Sequence, residues 1–166
     1  MLIYISGPLG YETAYRLYEE NIVRIKKQFP TFFINQFLEI PQNMGDFNIE
    51  KCPEGVYSRE ILRTGLFGCL WTSLEELSCG CEICLKNIKI RQEVIEILEL
   101  FKESPYEVSS KGSFLLISDE PLNGACLIGF TNSKKSRIIN FGDHKRFLTP
   151  PGRQAKDEAD RKGKIK

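Results

Sequence analysis

The chain has 166 residues, of which 42% are hydrophobic and 27% are charged, and its formal net charge is +1. These values predict one globular domain with an ordinary core. They exclude wholesale disorder and a collagen-like repeat. They also exclude an integral membrane protein, because a membrane span needs about 20 consecutive apolar residues and no run here comes close.

The charge is unevenly distributed along the chain. Residues 144–166 contain eight Lys or Arg and three acids, so this segment carries +5 and the preceding 143 residues carry −4. We therefore predict a single domain over residues 1–143, followed by a basic tail over residues 144–166. Such a tail either binds nucleic acid or an acidic protein, or is simply a solvated chain end.

The first third of the sequence predicts a βαβ unit. Residues 2–5 form a short apolar run, residues 6–10 a loop of turn residues, residues 13–29 an amphipathic helix and residues 31–40 an aromatic-rich strand. Such a unit implies a parallel sheet. A helical insertion follows at about residues 55–104, and it includes a helix that begins at Asn87 and ends at about Glu103. The last third predicts strands at residues 113–118 and 137–141, whereas residues 125–135 fit either a helix or a hairpin arm. The fold class is therefore α/β, with a small, mainly parallel sheet flanked by helices.

Two loops at predicted strand ends are candidates for a ligand site. The first glycine loop is residues 6–10, and the second is residues 118–125. Glycine lets a backbone approach a ligand, and the amides of a following helix favour a phosphate. Carboxylates in the second loop can serve as a general base. The predicted ligand-binding residues are Tyr4, Ser6, Gly7, Pro8, Asn123 and Gly124, and the predicted catalytic residues are Asp119 and Glu120.

The sequence LIYISGP at residues 2–8 resembles the opening strand and loop of the nucleoside 2-deoxyribosyltransferase superfamily. The SFLLIS strand, Asp119, the Gly124-Ala125 pair and the RIINF strand resemble the C-terminal third of that family. The resemblance implies a Rossmann-like, nucleoside- or nucleotide-binding domain that acts as a hydrolase or transferase on an N-glycosidic bond. The nucleophilic Glu of that family falls where this chain has Ile128. Either the alignment is shifted, or another acid substitutes for that Glu, or the chain keeps the fold and is catalytically degenerate.

Three cysteines, Cys79, Cys81 and Cys84, lie within six residues and are candidate ligands of a structural zinc ion. The other interpretation is that they are buried, reduced thiols. The N-terminus has no signal-peptide pattern, so we expect a cytoplasmic protein without membrane contact. The alternative function is a non-catalytic interaction module that binds protein or nucleic acid through the cysteine-containing insertion and the basic tail.

Overall fold

A computed structural model describes residues 1–43 and 47–151 of the chain. Seven strands form one sheet: β1 (Leu2–Ser6), β2 (Tyr57–Glu60), β3 (Gly80–Cys84), β4 (Phe114–Ser118), β5 (Cys126–Asn132), β6 (Arg137–Phe141) and β7 (His144–Phe147). The helices are α1 (Tyr11–Glu20), α2 (Ile22–Gln28), α3 (Thr31–Leu38), α4 (Gly65–Glu76) and α5 (Gln92–Leu100). Short 3₁₀ helices occupy Ile40–Asn43, Ile49–Lys51 and Leu85–Asn87.

The predicted α/β class is confirmed, but the predicted parallel sheet is wrong. The strand order is β2-β4-β1-β5-β3-β6-β7, and among the described strands only the β3–β6 pair is parallel. β1 and β4 are neighbours as expected, yet they run antiparallel, with Leu2 opposite Ser118 and Ser6 opposite Phe114. Residues 126–132 form a strand rather than a helix.

The sheet has one fully packed face and one partly covered face. The inner face carries Ile3, Leu115 and Ile83, which pack against α4 in the main core. The outer face carries Tyr4 and Leu116, which are covered by Leu122 and by apolar side chains of residues 47–56. The remaining four helices bury their apolar side chains in a second cluster around Phe37 and Ile97. Both faces of β1 and β4 are thus buried, although the strands are antiparallel.

Three predicted elements of the chain differ from the observed ones. The single helix predicted over residues 13–29 is divided at Asn21 into α1 and α2. The predicted strand over residues 31–40 is helix α3, in which Ile34 and Phe37 are buried three positions apart, as on one face of a helix. The predicted helical insertion contains β2 and β3, and β3 lies inside the sheet between β5 and β6. The insertion is therefore an integral part of the fold.

The sheet also extends past the predicted domain boundary after residue 143. His144–Phe147 forms the edge strand β7, and Leu148 is buried in the main core. Residues 152–166, which hold most of the predicted basic tail, lie outside the described residues. In the described part of the chain, no helix is both long enough and apolar enough to cross a bilayer.

Candidate functional site

The two glycine loops line one cavity of about 500 Å³, which lies at the end of the strands where β1 ends and β5 begins. The start of α5 closes the same cavity. We call it the loop cavity. Its lining residues are Ile5, Ser6, Gly7, Pro8, Leu9, Lys89, Ile90, Arg91, Val94, Gly124, Ala125 and Cys126.

The first glycine loop is held in place by close backbone packing. Gly7 has φ +93°, and a Cβ there would lie 2.5 Å from the carbonyl oxygen of Gly112 and 2.7 Å from the Cα of Ser113. Gly10 has φ +80°, and its amide donates a 2.8 Å hydrogen bond to Ser110 Oγ. Gly7 is therefore required for the close packing of residues 112–113 against the loop, and Gly10 for the positive φ, in addition to any role beside a ligand.

The charged side chains that line the loop cavity are both cationic. Lys89 is exposed, and among the described residues no carboxylate lies within ion-pair distance of it. Arg91 donates to the Glu93 carboxylate from Nε at 3.3 Å and from a terminal nitrogen at 3.2 Å. This hydrogen bonding lowers the pKa of Glu93. Because Glu93 engages Arg91, Lys89 remains as the cation available to a ligand.

The start of α5 adds further positive potential to the loop cavity. Arg91 occupies the N-cap position, and its side chain accepts no hydrogen bond from the first-turn amides. A helix N-terminus carries a partial positive charge, so cations beside it are electrostatically unfavourable unless an anion is nearby. Glu93 supplies one such anion. The combination of Lys89, Arg91 and the N-terminus of α5 is suited to binding another.

The structure brings some of the predicted ligand-binding residues together and leaves others apart. Ser6, Gly7, Pro8 and Gly124 line the loop cavity, whereas Asn123 is adjacent in sequence and does not. Tyr4 is 4% exposed on the outer face, where it packs against Leu116 and Leu122. It is a core residue and does not reach the cavity.

The predicted catalytic residues lie at the opposite end of the strands, beside the start of β1. β4 is antiparallel to β1 and ends at Ser118, opposite Leu2, so residues that follow β4 lie beside the start of β1 and away from Ser6. Asp119 is 82% exposed and forms a 3.5 Å ion pair with the N-terminal amine. Glu120 is exposed, and its amide donates to Ser118 Oγ. If β1 and β4 were parallel, the loops that follow them would lie at the same end of the strands. The prediction of Asp119 and Glu120 depended on that arrangement.

The three clustered cysteines do not form a zinc site. Cys81 lies within β3 and Cys84 ends it, and their odd spacing places the two side chains on opposite faces of the sheet. Cys81 is fully buried, and burial raises the pKa of its thiol to about 12. Across residues 1–43 and 47–151, no group of three His, Cys, Asp or Glu side chains is arranged to hold a metal ion. The donor set therefore does not fit zinc, and the buried-thiol interpretation describes Cys81.

Sequence reasoning missed the two cations of the loop cavity. A usable signal was present: Lys89 and Arg91 immediately precede a strongly amphipathic helix, at the end where acidic residues are normally favoured. The predicted helix start at Asn87 obscured this signal. In the structure Asn87 belongs to a 3₁₀ helix, and α5 begins at Gln92.

Comparisons with known proteins give structural neighbours only. No protein-family profile matches the chain, and no curated protein matches its sequence. Hydrogenase maturation protein HypE in complex with ATP superposes with a TM-score of 0.59 at 14% identity, over 90% of this chain and 50% of HypE. HypE of E. coli gives a TM-score of 0.61 at 19% identity, over 89% and 49%. Thiamine monophosphate kinase of Aquifex aeolicus gives 0.55 at 16% identity, over 87% and 51%.

These similarities show the fold and correct the family assignment. The chain spans about half the length of each neighbour. The neighbours are HypE and a kinase rather than deoxyribosyltransferases, and the sheet is mostly antiparallel. The resemblance to the nucleoside 2-deoxyribosyltransferase superfamily, with its Rossmann-like sheet, is therefore wrong. The similarity of LIYISGP to that family is limited to a short strand followed by a turn.

Proposed function

We propose that this chain is a nucleotide-binding domain and that the loop cavity holds the phosphate groups of the nucleotide. The observation that carries the proposal is the composition of the cavity wall. It combines a glycine-bearing loop, the N-terminus of α5, Lys89 and Arg91, and the described lining includes no carboxylate. Each of these features favours an anionic ligand.

The neighbours add support from the fold. HypE was crystallised with ATP, and the Aquifex kinase was also determined with AMPPCP and TMP. This chain spans only about half of each neighbour. We therefore extend to this chain the binding of a nucleotide alone, and not the reactions of the neighbours. The volume of the loop cavity lies within the range of small-molecule sites, which is roughly 300–1,000 Å³.

Glycosidic bond cleavage is not part of this proposal. That chemistry needs a carboxylate that attacks or stabilises the anomeric carbon. Ile128 is fully buried in the core, and Asp119 lies at the end of the strands opposite to the loop cavity. The loop cavity offers electrostatic binding of an anion, without a nucleophile of this kind among its described residues.

The test is calorimetric titration of the full chain with ATP, and separately with adenosine. We expect ATP to bind and adenosine to bind far more weakly, because the cavity provides cations and amides for phosphate. Replacement of Lys89 by Ala should weaken ATP binding by about 10-fold, the loss expected for one charge-assisted contact. Lys27→Ala removes the same charge from α2, away from the cavity, and serves as the matched control.

Two results would contradict the proposal. One is the absence of ATP binding by the wild-type chain. The other is equal ATP affinity in the wild type, Lys89→Ala and Lys27→Ala, which would show that bound ATP does not use the loop cavity.

A further inference from the structure

A second cavity, of about 430 Å³, lies where β6 begins and β7 ends. Its wall includes Trp71 and Glu75 of α4, Lys135 of the turn before β6, Arg137 of β6 and Phe147 of β7. We call it the aromatic pocket. It shares none of its described lining residues with the loop cavity, so the two are separate sites.

The aromatic pocket combines a fixed wall with an open ring. The guanidinium carbon of Arg137 lies 4.0 Å from the centre of the Trp71 ring, and Arg137 is ion-paired with Glu75. The side chain of Arg137 is therefore held in the wall, where it is only 10% exposed. Phe147, by contrast, is 73% exposed on the edge strand. An open aromatic ring of this kind is a platform on which a flat group such as a nucleobase can stack.

The charge of the aromatic pocket comes from its lysine. Glu75 and Arg137 neutralise each other, which leaves Lys135 as the net charge of the wall. Lys134 adds a further cation beside it in the same turn. Both lysines are exposed, and no carboxylate in the described part of the chain lies within ion-pair distance of either. Free cations beside an open ring suit a ligand that carries both an anion and a flat base.

The most basic part of the sequence follows directly after this pocket. Pro151 is the last described residue, and a Cβ built on Gly68 of α4 would lie 3.4 Å from Pro151 Cβ. Gly68 is three residues before Trp71, hence on nearly the same side of α4. Residues 152–166 contain six Lys or Arg and three acids, so they add a formal charge of +3 to the chain beyond Pro151.

We propose that the aromatic pocket and the basic segment of residues 152–166 together bind single-stranded nucleic acid. One base stacks on Phe147, and neighbouring phosphates meet Lys134, Lys135 and the cations of the segment. An acidic protein would match the cations but would offer no flat group to the open ring. A duplex keeps its bases stacked inside the helix. Binding through stacking and phosphate contacts implies little sequence preference.

The experiment measures binding of a labelled oligothymidylate of about 12 nucleotides to the full chain by fluorescence anisotropy. The wild type should bind, and its affinity should fall as the salt concentration rises, because phosphate contacts release counterions. Trp71 is the only tryptophan of the sequence and lines the pocket. Unlabelled oligothymidylate should therefore change the intrinsic tryptophan fluorescence, which reports occupation of the pocket itself.

Variants separate stacking from charge. Phe147→Ala should weaken binding about 10-fold, the loss expected for one stacked base, whereas Phe147→Tyr keeps an aromatic ring and should bind like the wild type. Lys135→Ala should weaken binding and make the slope of affinity against salt shallower by about 0.7, the value for one phosphate contact in a single strand. Phe32→Ala and Lys27→Ala remove an exposed ring from α3 and a charge from α2, and should change neither quantity.

The contribution of the basic segment is tested in the full chain by the combined change of Arg161, Lys162 and Lys164 to Gln. This variant should bind more weakly and lose part of the salt dependence. Its Trp71 fluorescence should still respond to saturating oligothymidylate. Unchanged affinity in this variant would contradict the role of the segment. The thermal unfolding transition of every variant checks that it is folded.

Three further results would overturn the proposal. The first is the absence of oligothymidylate binding by the wild type. The second is binding that leaves Trp71 fluorescence unchanged and is equally tight in Phe147→Ala, because the nucleic acid would then lie on another surface. The third is equally tight binding of poly-L-glutamate, which would indicate an acidic protein as the partner. The proposal is independent of the nucleotide site, since the assays contain no ATP.

Discussion

The first glycine loop and the cysteine segment of β3 both stand out in the sequence, yet they have different roles in the fold. The loop, residues 6–10, lines the cavity that we propose for a nucleotide. Cys81 is a fully buried side chain in the interior of the sheet, and its neighbours on the strand alternate between faces. Strand geometry, rather than the spacing of the cysteines, decides which of their side chains can meet.

The difference shows which sequence signals survive folding. A loop of turn residues can form on many different sheets, because Gly7 and Gly10 tolerate the positive φ angles that the loop requires. A set of metal ligands must converge from several directions, and convergence depends on secondary structure. On a strand, residues with an odd spacing diverge. The same three cysteines in a loop could have surrounded a metal.

The largest effect that separates these two segments is expected in thiol labelling. With a maleimide or disulfide reagent at pH 8, Cys84 should react readily. Cys81 should react at least about 1,000-fold more slowly. Burial denies the reagent access to Cys81 and raises the pKa of its thiol to about 12. Peptide mass spectrometry identifies the labelled residue.

Denatured protein is the control for the labelling experiment, and there both thiols should react alike. Treatment with a metal chelator should leave the folded pattern unchanged. Equal protection of Cys79, Cys81 and Cys84 that is lost upon chelation would instead show a metal site and contradict the assignment of Cys81 as a buried thiol.

The next effect concerns the rigidity of the loop. Gly7→Ala should lower the free energy of unfolding by about 3 kcal/mol or more, because its Cβ would collide with the backbone at Gly112 and Ser113. Gly112→Ala is the matched control: it has a similar φ of +88°, but a Cβ there meets nothing within 4 Å. Its cost should be about 1 kcal/mol, from the positive φ alone.

Urea unfolding of both variants measures the difference. Equal losses of stability would mean that the backbone of residues 112–113 moves away from Gly7 at little cost. The loop would then be a flexible turn, and its contrast with β3 would be weaker than the structure indicates.

The sequence was sufficient for elements whose pattern is local. The strands at residues 2–5, 113–118 and 137–141 match β1, β4 and β6, and the helix predicted before Ser104 contains α5. Strand direction could not be inferred in the same way. Ile3, Tyr4 and Ile5 are all buried, as are residues 115–117, because α4 covers one face and the segments around Phe47 and Leu122 cover the other. A continuous apolar run reports burial of both faces, which a parallel arrangement is only one way to achieve.

The candidate site was partly within reach of the sequence for the same reason. The residues of the two glycine loops follow from turn chemistry, and six of them line the cavity: Ser6, Gly7, Pro8, Leu9, Gly124 and Ala125. The cations Lys89 and Arg91 come to the cavity through the position of α5, which depends on tertiary packing. Asp119 and Glu120 were predicted on the assumption that β1 and β4 are parallel. The antiparallel register places them at the other end of the strands, beside the start of β1.

The smallest effect expected tests how Arg91 is held at the loop cavity. Glu93 is buried and hydrogen-bonded to Arg91, which lowers the pKa of its carboxyl. A lowered pKa in the folded state stabilises the fold above the unfolded pKa of about 4.3, and this contribution is lost as the pH falls through the folded pKa. Glu93→Gln should therefore cost about 1 kcal/mol at pH 7 and much less in strongly acidic solution. Glu96→Gln, whose hydrogen bond to Gln92 is exposed, should change stability by less than about 0.5 kcal/mol at either pH. Urea unfolding at the two pH values measures both variants. A loss for Glu93→Gln that is equal at the two pH values would mean that Glu93 contributes by packing, and that Arg91 is positioned by something other than its charge.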